Sequence, residues 1–285
     1  MLKTRIAPTP SGYLHIGNAL SFLLTWLIAR KQGGIIHLRI DDIDSERTRP
    51  EYVQDIIETL QWLGIDWDSQ TLSQLPKTAL YEAYLQRLTD SPAQLYPCYC
   101  TRKTIQTTTK HGIYAQTCLP LSPKITLKDE ANLRLHIPES ATIILHDKLK
   151  GMCTVKPAEL AGDLVIWQKT NKPAYQLASV VDDLTEGINF IVRGEDLWVS
   201  SAFQGYLAEV LGENSFSNIT FLHHKLILDE DGHKLSKSAG ATSVRALRMQ
   251  NASPTHFYSA FARFWQMQDV SETPTLQELL DKLFL

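Results

Sequence analysis

The chain has 285 residues, 44% of them hydrophobic and 21% charged, a globular balance that excludes disorder as the default and allows one large domain or two smaller ones. A formal net charge of -3 gives no global basic field, which argues against a non-specific nucleic-acid binder but is compatible with a local basic groove. Four cysteines in a chain this long do not suggest a disulfide scaffold, no signal peptide is apparent, and the longest apolar run, Ala19 to Ala29, is too short to cross a bilayer. The expectation is a cytoplasmic, enzyme-sized protein with no membrane partner.

In chain order, Lys3 to Ala7 reads as a short strand. Pro8 and Pro10 stiffen the loop that follows, because each removes a backbone donor and disfavours helix at the preceding residue. His15-Ile16-Gly17-Asn18 then opens the apolar helix. A strand–loop–helix junction of this kind offers backbone N–H groups and a positive dipole end to a phosphate, and Gly17 would let an anionic ligand come close to the backbone. Alone, a histidine here is more simply a helix cap. Lys31 to Gly34 ends the helix, and Ile35 to Ile40 reads as a buried parallel strand, completing a βαβ unit. Asp41, Asp42 and Asp44 follow at its carboxyl end, where such sheets place ligands; they suit either a solvated turn or a carboxylate site for an ammonium group. Pro50 to Leu63 and Leu80 to Leu88 have helical apolar spacing and read as core-facing helices.

Cys98, Cys100 and Cys118 fall within one short segment, and three thiolates suit tetrahedral zinc, with His111 or Cys153 as chemically plausible fourth ligands. Buried reduced cysteines are the plainer alternative. Strands are expected at Leu133–Ile137, Ala141–Leu145 and Leu164–Trp167. Lys172 to Asp183 passes from loop to apolar helix through Tyr175, and Asn189 to Asp196 is a strand ending in Arg193 and acids. An arginine there suits a carboxylate clamp, since guanidinium binds carboxylate bidentately, or a surface salt bridge to Glu195 or Asp196. A helix at Leu197–Leu211 leads to Phe221–Leu228 and a turn-rich loop, His233 to Ser238, containing Lys234, Ser236 and Lys237. Helices around Ser243–Met249 and Pro254–Trp265 nearly exhaust the remainder, and no internal repeat or low-complexity linker appears.

His-Ile-Gly-Asn at 15–18 and Lys-Leu-Ser-Lys-Ser at 234–238, in this order, resemble the two ATP-binding signatures of class I aminoacyl-tRNA synthetases. Arg5-Ile-Ala-Pro-Thr-Pro-Ser-Gly12 and Leu38-Arg-Ile-Asp-Asp-Ile-Asp-Ser-Glu-Arg47 sharpen the resemblance to the glutamyl group. It implies an α/β fold, a Rossmann-like parallel sheet with a zinc-containing insertion and a small C-terminal helical part. The corresponding division is 1–95 and 161–240 for the two nucleotide-binding halves, 96–160 for a tRNA-facing insertion and 241–285 for the helical part. The resemblance further implies that Arg5, Ala7, Thr9, Asp41, Tyr175 and Arg193 bind glutamate. His15, Gly17, Asn18, Lys234, Ser236 and Lys237 would bind ATP with Mg²⁺, His15, Lys234 and Lys237 acting in catalysis. Two positions depart from the pattern: Asp41 stands where the family usually has glutamate, and Asn18 where it more often has histidine.

The pattern Cys-x-Cys followed by Tyr-x-x-x-Cys resembles a structural zinc site in a short branch of the glutamyl family, which implies Cys98, Cys100, Tyr114 and Cys118 as ligands. Together with the short stretch after Ser238, it resembles the glutamyl-queuosine tRNA(Asp) synthetase family. That resemblance implies a monomer that forms glutamyl-adenylate and transfers glutamate to queuosine in the anticodon loop of tRNA(Asp). The rivals are a catalytic-core glutamyl-tRNA synthetase charging tRNA(Glu), a nucleotidyltransferase with a similar turn, and a non-catalytic tRNA-binding paralogue.

Overall fold

The computed structural model describes residues 1–43, 48–108, 113–121, 131–226, 244–250 and 253–284. The chain divides into two compact units, one built from residues 1–74, 190–195 and 224–285, the other from 75–189 and 196–223.

The first unit begins with the expected βαβ. β1 (Lys3–Ile6) pairs in parallel with β2 (Ile35–Arg39), Thr4 opposite Ile36 and Ile6 opposite Leu38. Between them α1 (Ile16–Lys31) is buried along most of its length, as its apolar sequence requires, and Gly33 ends it at φ 62°. α2 (Pro50–Trp62) carries its proline in the first turn, where the missing N–H costs nothing. β3 (Ser69–Thr71) adds to β2 in parallel, and the His37 ring bridges to the Ser69 and Thr71 hydroxyls at 2.7 and 3.0 Å.

The second unit contains α3 (Thr78–Asp90), β4 (Leu95–Cys98), α4 (Arg102–Thr108), β5 (Asn132–Leu135), β6 (Ile143–Asp147), β7 (Gly151–Val155), α5 (Pro157–Ala161), β8 (Leu164–Gln168), β9 (Lys172–Pro173) and α6 (Tyr175–Thr185). Strands β4, β5, β8 and β9 form an antiparallel sheet in that order, whereas β6 and β7 form a hairpin. Asp182 of α6 is fully buried; it accepts from the Lys77 ammonium at 2.9 Å and the Tyr81 hydroxyl at 3.0 Å, so its charge has a paired cation.

β10 (Phe190–Gly194) returns to the first unit and lies beside β1. α7 (Trp198–Val210) and β11 (Thr220–His224) follow, β11 pairing in parallel with β6. α8 (Val244–Met249), α9 (Thr255–Phe264) and α10 (Leu276–Lys282) close the first unit. The Tyr258 hydroxyl of α9 donates to the Leu63 carbonyl at 3.1 Å, and the Lys31 ammonium donates to the Leu280 and Asp281 carbonyls at 3.1 and 2.8 Å. The sequence reading had no counterpart for α10. Among the described residues no helix is long and apolar enough to cross a membrane.

Candidate functional site

The first unit gathers several of the expected site residues at the carboxyl ends of β1 and β2. The Asp41 N–H donates to the Pro8 carbonyl at 3.0 Å, drawing the end of β2 against the loop that contains Ala7 and Thr9. Ala7 is half-buried and Thr9 exposed, and the Ser11 N–H closes a turn on the Thr9 carbonyl at 2.9 Å. Arg5 on β1 and Arg193 on β10 are both buried, at 7% and 3% exposure, so two guanidinium groups are held on neighbouring strands. Such burial needs anionic or hydrogen-bonding company.

The acidic cluster resolves into different jobs. Arg39 Nε donates to Asp41 Oδ1 at 2.7 Å, with the arginine side chain at 0% and the aspartate at 9% exposure, so this carboxylate is one half of a buried ion pair. Asp42 accepts from the Ser73 hydroxyl and the Gln74 N–H, both at 2.7 Å, and is 6% exposed, so the solvated-turn reading fails for it. Its role is to fasten the turn. Asp44 lies outside the described residues.

His15 is the N-cap of α1, its Nδ1 accepting from the Asn18 N–H at 3.3 Å. The plain cap reading therefore holds, and it fixes the ring at the positive end of a helix whose first turn carries no acid. Gly17 also has a close neighbour within the turn itself. A Cβ there would lie 3.1 Å from His15 Nδ1 and 3.2 Å from Cε1, so the glycine makes room for the histidine ring itself. Lys234, Ser236 and Lys237 lie outside the described residues. Tyr175 belongs to the second unit, where it opens α6 and is 39% exposed.

The second unit brings the three clustered cysteines together. The Sγ atoms of Cys98, Cys100 and Cys118 all lie within 4.8 Å of one another, Cys100 and Cys118 at 3.6 Å. Tetrahedral zinc with bonds of about 2.3 Å separates its sulfur ligands by roughly 3.8 Å, so this donor set fits. The Tyr114 hydroxyl joins it, accepting from the Cys98 thiol at 3.4 Å and from the Cys118 N–H at 3.0 Å. His111, the other candidate, lies outside the described residues. Cys153 sits on the β6–β7 hairpin with its Sγ 3.8 Å from the Lys150 and Gly151 carbonyls, apart from the cluster.

Several contacts aim Tyr114. Its N–H donates to the Ala161 carbonyl at 3.1 Å, and the Arg134 guanidinium lies 3.9 Å from its ring centroid. A Cβ on Gly162, which stands at φ 77°, would collide with the Tyr114 carbonyl oxygen. Arg134 is itself held by the Asp163 carbonyl, and the buried Asp163 carboxylate accepts from the Tyr96 hydroxyl at 2.6 Å and the Ile137 N–H at 2.8 Å. Burial raises the Cys118 thiol, but the Tyr114 hydroxyl, the Tyr99 backbone and the neighbouring thiols outweigh it and bring it down to about 7. The shift is toward the thiolate, the form a metal needs. Burial, reinforced by hydrogen bonds to Cys98 and Cys118, holds the Tyr114 phenol above its usual range; a cation among these sulfurs would act in the opposite sense. Sequence reasoning singled out Cys98, Cys100, Tyr114 and Cys118 but not Arg134, Gly162 or Asp163. Of these only Gly162, between a helix and a strand in Ala-Gly-Asp, left a local signal.

The profile described as "tRNA synthetases class I (E and Q), catalytic domain" matches residues 1–283. The glutamate–tRNA ligase of Aquifex aeolicus is 36% identical over 99% of this chain and 61% of its own length, and that of Thermodesulfovibrio yellowstonii is 34% identical over 98% and 60%. The solved glutamate-tRNA synthetase of Elizabethkingia anophelis superposes with a TM-score of 0.82, covering 99% of this chain and 66% of that one at 24% identity, which speaks to fold. The chain therefore belongs to the class I tRNA synthetases (E and Q), as their catalytic domain. It spans about three-fifths of the length of these two curated relatives.

Proposed function

We propose that this protein activates glutamate with ATP and transfers it to the queuosine base in the anticodon loop of tRNA(Asp). Family membership and the relatives' names support glutamate activation. The observation that carries the finer reading is the assembly of Cys98, Cys100 and Cys118 with the aimed Tyr114 hydroxyl, the combination that the short glutamyl branch resembles. Those four residues would hold zinc, whose contribution is to close the loop-rich insertion.

In the first step a glutamate carboxylate oxygen attacks the α-phosphorus of ATP, and pyrophosphate leaves. Arg5 and Arg193 would take the substrate's acidic groups and Asp41 its α-ammonium, with Ala7 and Thr9 in the loop beside it; Tyr175 would contribute its hydroxyl. The N-terminus of α1 with His15, Gly17 and Asn18, together with Lys234, Ser236 and Lys237, stabilises negative charge on the phosphates of Mg²⁺-bound ATP. No enzyme nucleophile is needed, because positioning and electrostatics carry the step. In the second, a hydroxyl of the cyclopentene diol attacks the acyl carbon and AMP leaves.

A second reading, transfer to tRNA(Glu), is favoured by the names of the curated relatives. The deciding experiment is ATP-dependent transfer of labelled glutamate to tRNA(Asp) with queuosine, to tRNA(Asp) without it, and to tRNA(Glu). Labelling confined to the first RNA is the expected result. Labelling of tRNA(Glu) establishes the second reading, and absence of both labelling and pyrophosphate exchange refutes the enzymatic role.

A further inference from the structure

The turn that presents His15 is gripped from outside by a charged network. Tyr13 and Leu14 form the last two residues before the cap. The Leu14 carbonyl accepts from the Val244 N–H at 3.3 Å, so the first residue of α8 is bonded to the backbone next to His15. The next residue of α8, Arg245, lays its guanidinium 4.3 Å from the Tyr13 ring centroid, and that ring meets Tyr52 of α2 in a T-shaped contact with the centroids 5.1 Å apart. Both arginines of α8 converge on one carboxylate of α2, Asp55. Arg248 Nη2 lies 2.8 Å from Asp55 Oδ1 and Arg245 Nε 3.9 Å from it. Glu58 adds a contact of 2.9 Å to Arg248, and the Arg49 guanidinium lies 5.9 Å from the Tyr52 ring centroid. Asp55 is 3% exposed, so its charge is sustained by these partners rather than by water.

We infer that Asp55, Arg245 and Arg248 are positioning residues that hold the Tyr13–Leu14 turn and thereby set the place of the His15 ring. The inference deepens the adenylate-forming reading and rests on it, since His15 matters to rate only if phosphate charge develops beside it. An anonymous helix–helix salt bridge would need neither the Val244–Leu14 hydrogen bond nor an arginine stacked on the residue two before the cap. Here a backbone hydrogen bond and a cation–π contact fall on the same short turn, and the ion pairs to Asp55 fasten the helix that makes both. Burial holds the Asp55 carboxyl above its usual range, and the arginines, Arg248 first, with the Leu14 amide, draw it back only in part. Removing either side therefore leaves the turn with a changed charge beside it as well as a looser anchor.

The test uses Asp55→Asn, Arg245→Ala and the pair Tyr13→Leu and Tyr13→Phe in the full chain. Two readouts are taken: glutamate-dependent ATP–pyrophosphate exchange, and the imidazole signals of His15 in histidine-labelled protein. A misplaced reacting group costs rate rather than binding, so kcat is expected to fall about tenfold or more in Asp55→Asn and Arg245→Ala, with KM for glutamate changed less than about twofold. The His15 signals move in both variants. Tyr13→Phe, which keeps the ring under the guanidinium, recovers most of what Tyr13→Leu loses. Unchanged His15 signals, or a lower melting temperature with an unchanged kcat, overturn the inference. Absence of exchange in the unmodified protein instead refutes the adenylate-forming reading, and the His15 signals then decide the positional claim alone.

Discussion

Replacing Asp41 with asparagine removes one charge from a pair whose other member has no access to water. Arg39 is at 0% side-chain exposure and Asp41 at 9%, with 2.7 Å between Nε and Oδ1. Breaking a buried ion pair from one side costs about 3–5 kcal/mol, because a buried charge loses a counter-charge. Asparagine can still accept the Nε hydrogen bond through its own Oδ1, and the aspartate keeps a little solvent contact, so the lower end, about 3 kcal/mol, is expected. For a chain of 285 residues, with an unfolding entropy of roughly 2.1 cal/mol/K per residue, that corresponds to a melting temperature lower by about 5 °C. Urea and thermal melts of Asp41→Asn, Arg39→Met and the double variant measure it, and the double variant should recover part of the loss, with a coupling of about 1.5 kcal/mol or more. If Asp41→Asn melts within about 0.5 kcal/mol of the unmodified protein and the coupling is no larger, the ion-pair argument is wrong and the acid serves substrate alone.

Four further outcomes are expected. Purified protein should carry about one zinc per chain, and Cys100→Ser should lose it together with stability; metal analysis and thermal melts read both. Gly162→Ala, which places a Cβ against the Tyr114 carbonyl at φ 77°, should lower zinc retention under a chelator challenge even though it removes no ligand. Gly17→Ala should press on His15 and lower kcat for pyrophosphate exchange while melting close to the unmodified protein. Burial lowers the Lys77 ammonium, but Glu186 and Asp182 outweigh it and leave it above the ordinary value of 10.5. Its stabilisation is thus fully present below pH 10.5 and lost as pH rises through the raised value. Lys77→Met should cost about 2–3 kcal/mol at pH 8, with the gap to the unmodified protein narrowing at strongly alkaline pH in urea melts.

The legible parts of this chain are those where local pattern and tertiary environment agree. The Lys3–Ile40 βαβ, the helices from Pro50 and around Leu80, and the strand ending at Arg193 all follow from periodicity, glycine stops and proline starts. The cysteine cluster was legible because thiolate chemistry leaves few alternatives. What sequence could not give is which charge meets which. Asp41 and Asp42 are adjacent and identical, yet one turns back to Arg39 and the other to Ser73 and Gln74, a choice made by backbone turns far shorter than any periodic signal. The interleaving of the two units is equally silent, since contacts such as Lys31 to the Asp281 carbonyl join residues 250 apart.

That interleaving has a consequence for how the protein is made. During synthesis residues 1–74 emerge with the apolar surface of α1 exposed, while the helices α8 to α10 that share their unit come from residues 224–285. The second unit, by contrast, is complete once residue 223 has left the ribosome. Non-local closure of this kind is slow and exposes sticky surface in the interval. The unit that holds α1 is thus the later one to settle, and translation interrupted soon after residue 223 would release a second unit tethered to an unsatisfied first.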